Sequence, residues 1–239
     1  MEYHICDNSE QLAAVAASRI RDIAMVAIHR SGRFTIALTG GSTPESTYKY
    51  LAQHFAADSH WEKWAVFVGD DRFVPLDHTA SNFGMGRRLL LSRVAIRESQ
   101  VFPVPTHLPT PEAAAHEYQK VLERYFAPEP CIFDLILLGI GDDGHTASLF
   151  PGAQSLNSAS LVTFSAPGVL PPAVDRITFT FPLINAARHV MFMASGEKKR
   201  GVVADVIDRK KFVVNCPAVG VAPYPGKLLM YVDREAASL

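Results

Sequence analysis

The chain has 239 residues, 48% of them hydrophobic, enough for a sizeable buried core and far from the composition of a disordered chain. Twenty-three basic against 24 acidic residues leave a formal net charge of -1, so the overall field gives no reason to expect nucleic acid or an anionic membrane surface as a partner. Any anion must be held by local groups. Cys6, Cys131 and Cys216 form no CxxC pair and are too few for a disulfide framework, which argues against a zinc ribbon and fits a reducing compartment. Glu2, Asp7 and Glu10 precede the first apolar stretch, unlike a secretory signal, and no apolar run approaches the ~18 residues that cross a bilayer. A cytoplasmic protein is expected.

From Asn8 onward, Leu12, Val15, Ala16, Ile20, Ile23 and Ala27 fall on one helical face, with Asn8 as N-cap and Ser31-Gly32 as the stop. Residues 34–38 then read as a strand, Thr39-Gly40-Gly41 as a turn, and Pro44 as the first position of a second helix. The alternation continues with a strand over 65–68, helices over 83–94 and 112–126, and a strand over 132–138. Strands over 161–165, 176–181 and 190–194 follow, then a helix over 197–207 and a closing strand over 228–232. Such alternation predicts βαβ units: one doubly wound, mostly parallel α/β domain over 1–239, Rossmann-like, with helices on both faces. Residues 146–174 contain no Asp, Glu, Lys or Arg but hold Pro151, Gly152, Pro167, Gly168, Pro171 and Pro172. They read as ordered loop around one strand, either walling a site or crossing an apolar surface.

The apolar run Leu135-Ile136-Leu137-Leu138 passes into Gly139-Ile140-Gly141-Asp142-Asp143-Gly144-His145. A strand covered on both faces therefore feeds a turn bearing two carboxylates and an imidazole, at the end of the sheet where ligands bind in open α/β folds. Residues 139–144 match GxGxxG, but a pyrophosphate there would face Asp142 and Asp143, and no acid follows about 20 positions later to take a ribose. A dinucleotide is rejected. The glycines instead let the backbone turn so that Asp143 and His145 share one mouth. Histidine titrates near neutrality and takes a proton from water or a hydroxyl, and a nearby carboxylate orients its ring. The plainer alternative is a helix start in which an aspartate caps amides and His145 is solvated. The position after a buried strand favours chemistry.

Thr39-Gly40-Gly41-Ser42-Thr43-Pro44 also joins a strand to a helix, so Gly40 and Gly41 permit close approach while amides and the Ser42 and Thr43 hydroxyls point at an anion such as phosphate. No GK[ST] follows, so it is not a Walker loop, and Thr43 as N-cap with Pro44 at the first helical position is compatible with the same geometry. Val66-Phe67-Val68-Gly69-Asp70-Asp71-Arg72 repeats the design. There, Asp70 or Asp71 orients a catalytic group while Arg72 stabilises developing negative charge, or Arg72 merely pairs with an aspartate at the surface. Residues 77–82 read as part of that site or as a polar loop. Arg176 opens an alternating strand and Gly196-Glu197-Lys198-Lys199-Arg200 follows another, so two further cations are available to a phosphate, although 198–200 alone would read as a solvated helix face. The remaining histidines show no ligand spacing, and no metal site is expected.

Taken together, Gly40-Gly41-Ser42-Thr43-Pro44, Asp70-Asp71-Arg72-Phe73-Val74-Pro75, Ser81-Asn82, Leu138 with the following Gly139-Ile140-Gly141-Asp142-Asp143-Gly144-His145-Thr146-Ala147-Ser148-Leu149-Phe150-Pro151, Arg176-Ile177-Thr178 and Gly196-Glu197-Lys198-Lys199 resemble the 6-phosphogluconolactonase family over nearly the whole chain. The stretch GHTASLFP is the most specific; GGSTP is shared with other sugar-phosphate proteins of the superfamily. The resemblance implies hydrolysis of 6-phosphoglucono-1,5-lactone to 6-phosphogluconate in the oxidative pentose phosphate pathway, with no redox cofactor. It implies His145 as general base, Asp143 as its orienter, Arg72 as stabiliser of the oxyanion with Asp70 shaping the site, and Gly40, Gly41, Ser42, Thr43, Arg176 and Lys199 around the 6-phosphate. Lys199, rather than Lys198, falls on the lysine of the G-E-x-K pattern, and Asp71 stands where the family usually has Glu. Two rivals are weaker. Glucosamine-6-phosphate deaminases continue the turn as GHIAFNEP, and this chain has Phe150 at their glutamate. A non-catalytic sugar-phosphate sensor would not need the Asp143-Gly144-His145 element, and the first helix, starting near residue 8, leaves no room for a fused DNA-binding segment.

Overall fold

The computed structural model describes residues 1–57, 59–167 and 173–237. It opens with β1 (Glu2–Cys6) and then the helix expected after Asn8, α1 (Ser9–Ser31). Asn8 Oδ1 accepts from the Gln11 amide at 2.9 Å, and Gly32 at φ 73° ends the helix in the left-handed region that glycine adopts without strain. In chain order follow β2 (Phe34–Leu38), α2 (Ser42–His54), β3 (Trp64–Val68), β4 (Asp70–Arg72), α3 (Asn82–Leu89), β5 (Val101–Phe102), α4 (Pro111–Phe126) and β6 (Leu135–Leu138). The remainder comprises β7 (Val162–Ser165), β8 (Arg176–Phe179), α5 (Phe181–Ala186), β9 (His189–Ala194), α6 (Arg200–Asp208), β10 (Lys227–Asp233) and α7 (Arg234–Ala237). No helix among the described residues is long and apolar enough to cross a membrane.

Seven strands form a parallel sheet in the order β1-β10-β9-β6-β2-β3-β5. Alternate side chains enter two separate cores. Ile36, Leu38, Val66, Leu135, Leu137 and Met191 pack with α1, α2 and α3 on one face, while Ala37, Phe67, Ile136, Leu138 and Phe192 pack with α4, α5 and α6 on the other. Burial on both faces explains why these strands read as continuous apolar runs. Phe67 shows the scale: fully buried, stacked on Phe102 at 4.5 Å and edge-on to Phe133 at 5.2 Å, it contributes about 2–3 kcal/mol by burial.

The doubly wound domain expected from the sequence is therefore present, with several differences in detail. The strands expected over 161–165 and 176–181 leave the main sheet and join β4 in a small antiparallel sheet, β4-β8-β7. The second stops at Phe179 because Phe181, with Pro182 behind it, opens α5. The strand expected over 132–138 begins only at Leu135, the helix over 83–94 ends at Leu89 before a 3-10 turn, and the helix over 197–207 divides into the 3-10 turn Glu197–Lys199 and α6. α2 starts at Ser42 after Gly41 (φ 112°), so Thr43 is not its N-cap and Pro44 is its third residue. β1, β4, β5 and α5 were not anticipated from periodicity, being too short or too polar to show one. Of the charge-free segment, Gly168, Pro171 and Pro172 lie outside the described residues.

Candidate active site

The chain runs from β2 outward through β3 to β5 and then returns to β6 on the other side of β2. The connections after β2 and β6 diverge at this reversal and open a crevice at the carboxyl ends of the strands, the usual ligand position in such sheets. A cleft of about 220 Å³ lies there. Residues 39–44 after β2 form one wall and residues 139–142 with His145 and Ala147 after β6 the opposite one. Asp70 and Arg72 of β4, Asn82 at the head of α3, Met193 and Ala194 of β9, and Lys199 complete it.

The turn after β6 is closed by the Gly141 amide donating to the His145 carbonyl at 2.8 Å and the Gly144 amide donating to Gly141 at 2.9 Å. It folds His145 back over Gly141. A Cβ on Gly141 would lie 2.0 Å from His145 Nδ1 and 2.6 Å from Asp143 Oδ1, so only glycine fits beneath the pair. Asp143 Oδ1 sits 2.6 Å from His145 Nδ1 and also accepts the His145 amide at 3.1 Å. The hydrogen bond from His145 holds the Asp143 carboxyl below its ordinary value against the opposing effect of burial. A carboxylate only accepts, which assigns the hydrogen to Nδ1 and leaves the Nε2 lone pair for a proton. Phe150 packs on the imidazole at 4.9 Å and limits its rotation. Ala147, at φ 47°, is held in the left-handed region on the cleft wall, a conformation that costs a non-glycine residue about 1 kcal/mol or more. Asp143 itself stands behind His145 rather than in the cleft wall.

Across the cleft, the loop of Gly40, Gly41, Ser42 and Thr43 leads into α2, whose first amides have no helical partner and carry the positive end of the helix dipole. Thr43 Oγ1 shares a hydrogen bond with Ser195 Oγ at 2.8 Å, tying this loop to the end of β9. Lys199 enters the cleft from the following turn, donating to the Ile140 carbonyl and to Asp142 Oδ1, each at 2.6 Å. An ammonium has three hydrogens, so one remains for a ligand. Lys198 is exposed and Arg200 pairs with Glu197, so of this basic run Lys199 alone faces the cleft.

The Asp-Asp-Arg run separates into three roles. Asp70 Oδ2 accepts from Ser148 Oγ at 2.7 Å, joining β4 to the segment after His145. Asp71 points away from the cleft and accepts from the amides of Arg72, Asn82 and Phe83 and from Ser81 Oγ, at 2.7–3.1 Å. Full burial pushes its carboxyl up to about 6, opposed by those amides. Neither aspartate forms the surface ion pair with Arg72 that was the alternative reading. Arg72 instead donates from Nη1 to the Ala80 carbonyl (2.8 Å) and Asn82 Oδ1 (2.9 Å). Arg176, expected at the phosphate, is buried and not part of the cleft wall. It stands directly opposite Arg72 in the β4–β8 pairing, where desolvation and the neighbouring Arg72 charge both lower its pKa. Ser148 and Asn82 have no role of their own in the sequence reading, and Asp142 has none beyond an amide cap or an acid that repels a pyrophosphate; their contacts become legible only when the strands are brought together.

Residues 7–230 match the model of the family described as glucosamine-6-phosphate isomerases/6-phosphogluconolactonase. A Synechocystis protein named 6-phosphogluconolactonase is 40% identical over 88% of this chain and 86% of its own. The human 6-phosphogluconolactonase is 35% identical over 98% and 92%. The structure of 6-phosphogluconolactonase from Trypanosoma cruzi superposes with a TM-score of 0.88 at 29% identity, covering 99% of this chain and 96% of that one.

Proposed function

The chain belongs to the family of glucosamine-6-phosphate isomerases and 6-phosphogluconolactonases and is an enzyme of its lactone-hydrolysing kind; we propose that it opens 6-phosphoglucono-1,5-lactone to 6-phosphogluconate, with His145 activating the attacking water. The observation that carries this reading is His145 on the cleft wall across from the anion loop at Gly40, bonded at 2.6 Å to Asp143 behind it. In the reaction, Nε2 removes a proton from water as its oxygen bonds to the lactone carbonyl carbon. The imidazolium that forms is stabilised by the Asp143 carboxylate. Arg72 lies where a guanidinium offsets the charge gathering on the carbonyl oxygen, with Asp70 shaping the wall beside it. Collapse of the tetrahedral species breaks the bond to the ring oxygen, which receives the proton from His145. No redox cofactor enters this sequence.

Gly40, Gly41, Ser42 and Thr43 bind the 6-phosphate through amides and hydroxyls, with Lys199 supplying a direct cation. Arg176, the cross-strand neighbour of Arg72, adds positive field beside it. Phe150 rests on the imidazole where the related deaminases carry a glutamate, so nothing here supplies that carboxylate for ring opening of an amino sugar. We place the reaction in the cytoplasm, consistent with three free thiols. The test is a continuous hydrolysis assay comparing phosphorylated with unphosphorylated gluconolactone. The proposal expects a kcat/KM preference for the phosphorylated lactone of at least about 10²-fold, as charge-assisted contacts to a dianion supply. Equal rates on the two lactones, or ammonia release from glucosamine 6-phosphate in place of lactone hydrolysis, would overturn it.

A further inference from the structure

Asn82 is 4% exposed, and its amide touches three parts of the cleft at once. Nδ2 donates to the Asp70 carbonyl at 2.8 Å and Oδ1 accepts from Arg72 Nη1 at 2.9 Å. The amide also lies directly against Gly40: a Cβ there would fall 2.1 Å from Oδ1 and 2.5 Å from Cγ. The backbone of Asn82 is fixed separately, its amide donating to Asp71 at 2.7 Å at the head of α3. With both Nη1 hydrogens bound to Ala80 and Asn82, and Nε buried without an acceptor among the described residues, Arg72 is left to present Nη2 to the cleft.

From this geometry we propose that Asn82 is a positioning residue: its amide is the spacer that sets the Gly40 anion loop at a fixed distance from the Arg72 guanidinium. The inference rests on the lactone reading, in which those two features hold opposite ends of the substrate. Glycine at 40 and asparagine at 82 are then one device. Any side chain at 40 would displace the amide and release Arg72, and shortening residue 82 would leave Arg72 with one anchor and the loop with no stop. Positioning at this scale matters because displacements of about 1 Å cost up to ~10²-fold in rate.

Two double-mutant cycles test it. In the first, melting temperature and the calorimetric affinity for 6-phosphogluconate are measured for wild type, Gly40→Ala, Asn82→Ala and the double variant. Gly40→Ala is expected to weaken both strongly beside Asn82 and only slightly beside Ala at position 82. In the second, kcat is measured for Asn82→Ala, Arg72→Ala and their combination. Asn82→Ala should lower kcat about 10-fold or more, yet lower it no further once Arg72 is gone. A merely structural asparagine would couple to position 40 in melting temperature through contact alone but give additive losses of affinity in the first cycle and of kcat in the second, and that result overturns the inference. Absence of lactone turnover by wild type would instead remove the lactone reading, and the first cycle would still decide whether Asn82 sets the loop.

Discussion

Gly141→Ala isolates the contact on which the proposed catalytic pair depends. Gly141 is not among the glycines with positive φ, so alanine is compatible with the backbone and the effect is steric. The new methyl would stand 2.0 Å from His145 Nδ1 and 2.2 Å from Cε1, whereas side-chain carbons essentially never approach other atoms closer than 3.0 Å. The ring must therefore retreat by about 1 Å. Asp143 Oδ1, itself only 2.6 Å from the methyl, must shift as well, so the 2.6 Å bond loses its geometry and Nε2 leaves its position over the cleft. A displacement of that size costs about 10²-fold in turnover. The assay is steady-state lactone hydrolysis, with melting temperature measured in parallel to show that the protein is folded. A fall in kcat of about two orders of magnitude with little change in KM is expected. A folded Gly141→Ala protein with kcat within a few-fold of wild type would refute the argument that the pair must sit where it does.

Lys199→Ala should raise KM for the phosphorylated lactone by about 10-fold or more, the value of one charge-assisted contact, and leave the unphosphorylated lactone unaffected; equal effects on both would contradict its assignment to the phosphate. Asp71 gives a stability prediction. Its carboxyl titrates near 6 in the fold against an ordinary 3.8, so between those values the native state holds more protons than the unfolded one. Its contribution is then complete below 3.8 and lost as pH rises through about 6. Asp71→Asn, which does not titrate, should flatten the fall in unfolding free energy over that interval in denaturant titrations, and an unchanged slope would show that Asp71 does not titrate there.

The sequence revealed most where one physical signal dominated. The apolar runs ending at Leu38, Val68, Leu138 and Ala194 mark the four adjacent strands that carry the site, because strands buried on both faces leave no room for polar alternation. Asn8 and Gly32 bounded α1 through cap chemistry that acts within a few residues. What stayed hidden depends on contacts between distant segments. Arg176 was expected at the phosphate from its place at the start of a strand and from the family resemblance; that antiparallel pairing of β4 with β8 makes it the cross-strand neighbour of Arg72 could not be read there. The small second sheet was illegible because β4 has three residues, Asp70–Arg72, all charged, and is a strand only because β8 pairs with it. Asp71 and Asp70 are neighbours of the same type with opposite surroundings, one turned to the amides of α3 and the other to Ser148 and the cleft. Alternation along a strand separates them, and only the fold says which side is which.

The most direct test of the whole account is the turnover of His145→Ala on 6-phosphoglucono-1,5-lactone, read beside its calorimetric affinity for 6-phosphogluconate. A positioned base contributes about 10²-fold or more, so kcat should fall by at least that factor while product affinity stays within about threefold of wild type. Near-normal turnover by the folded variant would contradict the assignment of the proton to this imidazole and, with it, the mechanism.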